Sequence, residues 1–270
     1  MQKIKVVFLG SRLLGFEVLE LLLGYRNIEI VGCITKERFD GAWWDKDPYD
    51  IRSCASCLTL KDLEFLDFDF GVSINFWQII PKSIIDKGRL GFINLHHSYN
   101  LSYRGRDMTS HVIRNARNKK QFYHGTTLHY LDEGLDTGPI ISTKACEISE
   151  YDTAWSLFNK VEALGLDLLK EWLPRLVISR AVVAYPEVGQ PLSFRGALNK
   201  QLNSLTGDKL MIYDFVRSSD FNNFYEPAFY IDNEGGKVYL TTDNKFAGEV
   251  IVDAGNGRVV YKNIEFPVNK

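Results

Sequence analysis

Short apolar runs alternate with amphipathic stretches through the first half of the chain. Lys5-Val6-Val7-Phe8-Leu9 is short, apolar and ended by Gly10, the pattern of a buried strand. Phe16 to Leu23 repeats its apolar positions at helical spacing and stops at Gly24. Ile28 to Ile34 predicts a second strand, Asp69 to Ile74 a third and Gly91 to Leu95 a fourth. Pro81 suits the first turn of a helix over Lys82 to Lys87. Strands separated by helices need right-handed crossovers, so the pattern predicts an α/β fold with a mostly parallel sheet flanked by helices.

After Gly125 the pattern changes. Thr126 to Tyr130 is β-rich and leads through Gly134-Leu135-Asp136-Thr137-Gly138-Pro139 into Ile140 to Thr143. Thr153 to Leu173 predicts a long amphipathic helix with Asp152 as its N-cap. Tyr185 to Phe194 holds Pro186, Gly189 and Pro191 and reads as a linker. Beyond it, Leu210 to Val216 has helical spacing. Ala228 to Ile231 and Lys237 to Thr241 flank Asn233-Glu234-Gly235-Gly236 as a hairpin, and Val250 to Val252 with Val259 to Ile264 flank a second turn. The expected organisation is a Rossmann-like domain over 1–190 and a small β-rich accessory domain over 191–270.

Length suits one large domain with a smaller appendage, since 270 residues exceed the usual domain of roughly 100–200. At 45% hydrophobic and 24% charged the chain can bury a core, which excludes a disordered class. Thirty-two basic against 34 acidic residues leave a net charge of −2, with no overall basic footprint for nucleic acid. The basic run Arg114-Asn115-Ala116-Arg117-Asn118-Lys119-Lys120 reads as the solvated end of a helix. No apolar run approaches a bilayer span of about 20 residues, and Ile4 to Leu9 is short for a secretory signal, so no membrane role is expected and the cytoplasm is the expected compartment. Cys54-x-x-Cys57 is half of a zinc knuckle without a second half, so no metal is expected.

The chemistry-bearing residues cluster in two places. In Phe92-Ile93-Asn94-Leu95-His96-His97-Ser98, residues i and i+2 of a strand share a face, so Asn94 and His96 point the same way. They lie at the C-terminal end of the fourth strand, the edge where open α/β sheets hold ligands. Asp136 sits between two glycines, which permit unusual backbone shapes and close approach of a ligand. Asn94, His96 and Asp136 together can move a proton and stabilise an oxyanion without a nucleophilic serine or cysteine. His97, His111, His124 and His129 read as structural, His97 being the one nearest to a supporting role.

These elements resemble a known family, the formyltransferases that use N10-formyltetrahydrofolate. Asn94-Leu95-His96-His97-Ser98, Tyr103-Arg104-Gly105, Gly125-Thr126-Thr127-Leu128-His129 and Asp132-Glu133-Gly134-Leu135-Asp136-Thr137-Gly138 match that family's elements in order and spacing. Two departures stand out: Tyr99-Asn100-Leu101-Ser102 replaces the family's Leu-Pro, and Thr126 stands where valine is usual. The resemblance implies that Asn94, His96 and Asp136 are the catalytic set. It also implies that the folate lies between Phe76-Trp77-Gln78-Ile79-Ile80 and Asp132-Glu133-Gly134.

Within that family the chain looks similar to sugar N-formyltransferases, which act on nucleotide-linked amino sugars of bacterial surface polysaccharides such as O-antigen. A tRNA-directed relative must hold a polyanion, and a net charge of −2 tilts the reading towards a small substrate. Tyr103-Arg104-Gly105-Arg106 is similar to a form whose second arginine meets the substrate's phosphates, a task that suits a planar guanidinium. Ser11, Arg12 and the adjacent Trp43 and Trp44 join these as expected substrate contacts. A dTDP-4-amino-4,6-dideoxyglucose is the expected acceptor, with a dTDP-3-amino-3,6-dideoxyhexose or a UDP- or GDP-linked amino sugar as alternatives. The β-rich tail is a candidate for pairing two copies in a homodimer. His96 would accept a proton from the amine, Asp136 would orient His96, and Asn94 would donate to the oxyanion. The rival readings are a dinucleotide-dependent dehydrogenase, for which Gly10-Ser11-x-x-x-Gly15 is only a partial phosphate loop, and a folate-binding protein without catalysis.

Overall fold

The computed structural model describes residues 3–36, 42–51, 58–179, 181, 184–187, 190–194, 196–203, 208–222, 224–231, 233–240, 242–243, 248–253 and 258–262. Cys54-x-x-Cys57 lies outside the described residues. The chain divides into two compact units, one of residues 1–105, 125–145 and 161–192, the other of residues 106–124, 146–160 and 193–270.

The first unit is built on β1 (Ile4–Gly10), α1 (Arg12–Gly24), β2 (Ile28–Ile34), β3 (Phe70–Ile74), α2 (Lys82–Ile85), β4 (Phe92–His96) and the two-residue β5 (Arg104–Gly105). Tyr123–Tyr130 forms β6, Ile140–Glu147 forms β7, and most of α4 (Ala154–Leu176) completes the unit. Six strands join in the order β2-β1-β3-β4-β6-β7. β2, β1, β3 and β4 run parallel, and β6 turns back antiparallel beside β4. This is the α/β sheet that the apolar runs predict. The parallel strands are mostly apolar because both faces are covered: Val6, Phe8, Val72 and Ile74 join α1 and α4 in one cluster, and Val7, Leu9 and Phe92 join α2 in a second. Gly10 is a packing requirement, because a Cβ there would lie 2.8 Å from the carbonyl oxygen of Ile74. That accounts for the glycine of the partial phosphate loop without a phosphate.

Helix α4 starts one residue later than expected and runs on to Leu176. Its entry is capped by Thr153 rather than Asp152: Ser156 N donates to Thr153 Oγ1 and Thr153 N donates to Ser156 Oγ.

The second unit holds α3 (Met108–Lys119), the two-residue β8 (Leu192–Ser193) at its border, α5 (Lys209–Arg217), the antiparallel hairpin β9 (Ala228–Ile231) and β10 (Lys237–Leu240), and a three-stranded sheet of β11 (Thr242–Asp243), β12 (Gly248–Asp253) and β13 (Arg258–Lys262). Asp208 caps α5 by accepting from Leu210 N and Met211 N. The basic run on α3 is not simply a solvated end. Arg117 pairs with Glu150 and, at 2.6 Å, with Asp214, while Arg114 donates to Ser218, Ser219 and Asn199 and stacks on Phe215. Arg217, also buried, pairs with Asp214 at 2.8 Å. An arginine's long stem packs while its head finds acceptors, so α3 and α5 are joined through their charges. Only Asn118, Lys119 and Lys120 of the run are exposed. No described helix is long and apolar enough to cross a membrane.

Candidate active site

Strand register assembles the centre of the site. Asn94 of β4 lies opposite His129 of β6, and His96 lies opposite Thr127. Opposed residues of a pair project to one side, so all four side chains share a face. Asp136 reaches the same place from the turn between β6 and β7, with a left-handed backbone at φ 52. Gly138 makes that turn possible, since a Cβ there would come within 1.9 Å of the Tyr130 carbonyl oxygen. Asp132 ties the turn by accepting from Gly134 N and Thr137 Oγ1.

His96 is buried, and its Nε2 lies 2.9 Å from the carbonyl oxygen of Tyr103. A carbonyl can only accept, so Nε2 carries the hydrogen and donates, leaving the lone pair of the neutral ring on Nδ1. Nδ1 faces Oδ2 of Asp136 at 3.6 Å, beyond direct hydrogen bonding, and that oxygen accepts from Gly105 N at 2.8 Å. Orientation of His96 thus comes from the Tyr103 carbonyl, where the sequence suggested Asp136. Asp136 instead faces Nδ1, the ring nitrogen that carries the lone pair.

His129, which reads as structural in the sequence, belongs to this centre. Its Nδ1 donates to the Tyr130 carbonyl at 2.8 Å, so its Nε2 accepts from Nδ2 of Asn94 at 3.1 Å. Burial, opposed by the charge of Asp136, lowers the ring's pKa to about 4, so it stays neutral 3.8 Å from Asp136. The signal for it was available: His129 lies two residues from Thr127 on a strand, but its partner strand is not legible locally.

A second polar group gathers around Glu162 of α4. It accepts from Nδ2 of Asn75 at 3.2 Å and lies 3.3 Å from Nε2 of His97. Burial raises its pKa to about 7 despite the Asn75 hydrogen bond and the Arg12 charge. Ser11 is buried and its hydroxyl donates to the Asn75 carbonyl. Arg12 and Asn75 both hold left-handed backbones, at φ 68 and 53.

The other expected contact residues are distributed as follows. The Arg12 guanidinium lies 5.6 Å from the Trp43 ring and 5.5 Å from the Trp44 ring. Trp44 is buried and donates through Nε1 to Asp47, a buried carboxylate that also accepts from Arg12 N, Thr35 Oγ1 and Tyr49 N. Trp43 is the more accessible of the pair. Tyr103 is buried, and Arg104 donates from Nη2 to Gln190 while its buried Nε has no hydrogen-bond partner among the described residues. Arg106 belongs to the second unit and is exposed, its N–H donating to Ser193. Phe76 and Trp77 pack with ring centroids 4.6 Å apart, and Lys36 lies 4.9 Å from the Trp77 ring. Both aromatic rings and Leu131 rest on one apolar cluster, which brings the Phe76 to Ile80 loop and the start of the Asp132 turn to a common support. Gln78, Ile79, Glu133 and Gly134 are exposed and Ile80 is buried. No group of three or more metal-ligating side chains occurs among the described residues.

Comparison with known proteins follows the same lines. A family model described as formyl transferase matches residues 45–173. A methionyl-tRNA formyltransferase of Clostridioides difficile is 30% identical over 230 residues, covering 79% of this chain and 72% of that protein. Among solved structures, WlaRD, a sugar 3N-formyl transferase determined in the presence of dTDP and 5-N-formyl-THF, superposes with a TM-score of 0.71 at 22% identity, over 88% of this chain and 85% of that one. A 4-N formyltransferase from Francisella tularensis superposes with a TM-score of 0.70 at 17% identity, over 88% and 96%. These two likenesses establish the fold.

Proposed function

The chain belongs to the formyl transferase family, enzymes of formyl transfer, and from that premise we propose that it moves a formyl group from N10-formyltetrahydrofolate to the amine of a nucleotide-linked amino-dideoxyhexose. The observation that carries the reading is the convergence of Asn94, His96 and Asp136. The acceptor we favour is dTDP-4-amino-4,6-dideoxyglucose, made for a bacterial surface polysaccharide. A net charge of −2 supports a small substrate over a tRNA, and the fold shared with sugar N-formyltransferases supports the sugar.

The residues present suit a folate. Phe76 and Trp77 supply an aromatic wall, and the exposed Glu133-Gly134 backbone supplies polar edges on the same apolar support. The folate supplies the formyl carbon and leaves with a proton. Asn94, held by His129, presents its remaining N–H to the oxygen that gains charge as the amine adds. His96 takes the proton shed by the amine on Nδ1, the ring atom with the lone pair, and returns it to the departing nitrogen. Asp136 stabilises that proton, because its Oδ2 faces Nδ1 and gains a charge-assisted partner once the ring is cationic. Arg12 with Trp43, and the unpartnered Nε of Arg104, are donors and ring faces for the phosphates and base of the acceptor. Ser11, Tyr103 and Gly105 shape that pocket, and Trp44 props Trp43. The free thiol of Cys146 suits the cytoplasm. The decisive experiment is a formyl-transfer assay with a panel of dTDP-, UDP- and GDP-linked amino sugars beside methionyl-tRNA. Turnover only with the tRNA overturns the sugar, and near-normal turnover of His96→Ala and Asn94→Ala overturns the site.

A further inference from the structure

The buried Ser98 completes a clasp around His96. Its Oγ accepts from Tyr103 N at 2.9 Å, and the carbonyl of that same Tyr103 accepts from His96 Nε2 at 2.9 Å. The main chain of Ser98 is itself fixed, since its N–H donates to the His96 carbonyl at 2.8 Å and its carbonyl accepts from Thr127 Oγ1 at 2.6 Å. Between the two ends of the clasp the chain makes an unfavourable turn. Asn100 and Leu101 hold consecutive left-handed backbones at φ 50 and 53, and neither is glycine. Such backbone costs about 1–3 kcal/mol per residue and persists only where its surroundings over-determine it. This turn is the segment where Tyr99-Asn100-Leu101-Ser102 departs from the family's usual Leu-Pro.

From this geometry we propose that Ser98 is a positioning residue of the reaction: by fixing the N–H of Tyr103 across the strained turn, it places that residue so that its carbonyl, in the next peptide plane, keeps His96 in the Nε2–H tautomer with its basic Nδ1 towards Asp136. The direction of the Tyr103 carbonyl decides which ring nitrogen carries the hydrogen. Its peptide is also held by Arg104 N–H on the Pro191 carbonyl at 2.8 Å, and Ser98 acts on it through the Tyr103 backbone. A carbonyl aimed at Nε2 favours the hydrogen there; a Tyr103 backbone that shifts and tilts the carbonyl away lets it move to Nδ1. In that second tautomer Nδ1 would carry a hydrogen on the side of Asp136 before any substrate arrives, and the ring could no longer take a proton at that atom. The Ser98 hydroxyl touches neither substrate nor reacting atom in this scheme.

The catalytic part of this inference rests on the formyl-transfer reading; the tautomer does not, so it is read in the free protein. In protein labelled with 15N-histidine, the ring nitrogens of His96, assigned by difference from His96→Gln, are expected to show one Nε2–H tautomer at pH 8. In Ser98→Ala both tautomers are expected, with kcat lowered about 10- to 100-fold and KM for the amino sugar nearly unchanged, since general acid–base help is worth about 10²–10⁴. A wild-type His96 with its hydrogen on Nδ1 overturns the proposal, and so does a folded Ser98→Ala with an unchanged spectrum. Should circular dichroism show Ser98→Ala unfolded, Ser98→Cys decides. Its weaker acceptor predicts a partial mixture, and a spectrum identical to wild type overturns the clasp. A correct spectrum with no formyl transfer to any sugar would leave the clasp standing and remove the proposed activity.

Discussion

Nε2 of His129 accepts a hydrogen bond from Nδ2 of Asn94 at 3.1 Å, and it can do so only because Nδ1 is committed to the Tyr130 carbonyl. The imidazole thereby fixes which end of the Asn94 amide is N–H, a matter the amide alone would leave open. His129→Leu keeps the volume apolar but removes the acceptor. The expected result is a kcat lowered about 10-fold or more with little change in KM. The upper bound is the ~10²–10³ that loss of an oxyanion donor itself costs, which is the loss expected for Asn94→Ala. His129→Gln, which retains an acceptor, should recover part of the rate. Steady-state kinetics of the three variants checks this.

His129 and Glu162 give opposing pH dependences of stability. The ordinary pKa of His129 is 6.5 and its folded value is about 4, so the folded state favours the neutral ring. Its contribution is present above pH 6.5 and is lost as pH falls through that window, in all about 3 kcal/mol.

Glu162 works the other way. Its pKa rises from 4.5 to about 7 on folding, so the folded state favours the neutral carboxyl. That contribution is present below pH 4.5 and is lost as pH rises to about 7, again about 3 kcal/mol at most. Arg12 limits the loss by attracting the carboxylate, Glu17 adds to it, and Asn75 and the facing His97 share the site. Glu162→Gln mimics the neutral acid. Its Tm should match the parent near pH 4.5 and exceed it progressively up to pH 8; thermal melts across that range that run parallel would contradict the assignment.

Asp214 is wholly buried between the guanidinium groups of Arg117 and Arg217. Asp214→Asn keeps the shape and removes the charge facing both arginines. Breaking a buried pair in this way costs about 3–5 kcal/mol, because a charge is left without its counterion. The midpoint of urea unfolding should fall accordingly. The proposed formyl-transfer site in the first unit has no member in this pair, so activity of the folded fraction should persist.

Gly138→Ala places a methyl where the Tyr130 carbonyl oxygen now sits 1.9 Å away, and neither main-chain atom can step aside cheaply. The turn that carries Asp136 must shift. Activity should drop steeply, while circular dichroism still shows the sheet, since the strands themselves are continuous on either side.

The parallel strands, the helix after β1 and the C-terminal hairpin are legible from the chain because their signals are local. Ile28 to Ile34 is a strand in both readings, since a short apolar run bounded by polar residues has few other ways to satisfy its backbone. Asn94 and His96 share a face for a similarly local reason, the two-residue period of a strand. Cap positions are less legible. Asp152 and Thr153 are both good N-caps, and only the Ser156 hydrogen bonds decide for Thr153. The basic run on α3 is misleading on its own, because the carboxylates that take up Arg117 are Glu150 and Asp214, far along the chain.

By itself, then, the sequence determined the α/β sheet, the residue types of the candidate site and their family resemblance. Each of these depends on neighbours a few residues apart. Tertiary structure alone decided that His129 holds Asn94, that the Tyr103 carbonyl rather than Asp136 orients His96, and that residues 106–124 and 146–160 form a compact unit with the C-terminal part. Those outcomes depend on strand register and on the direction of a peptide plane, which contacts between distant segments set together and no single stretch of chain encodes.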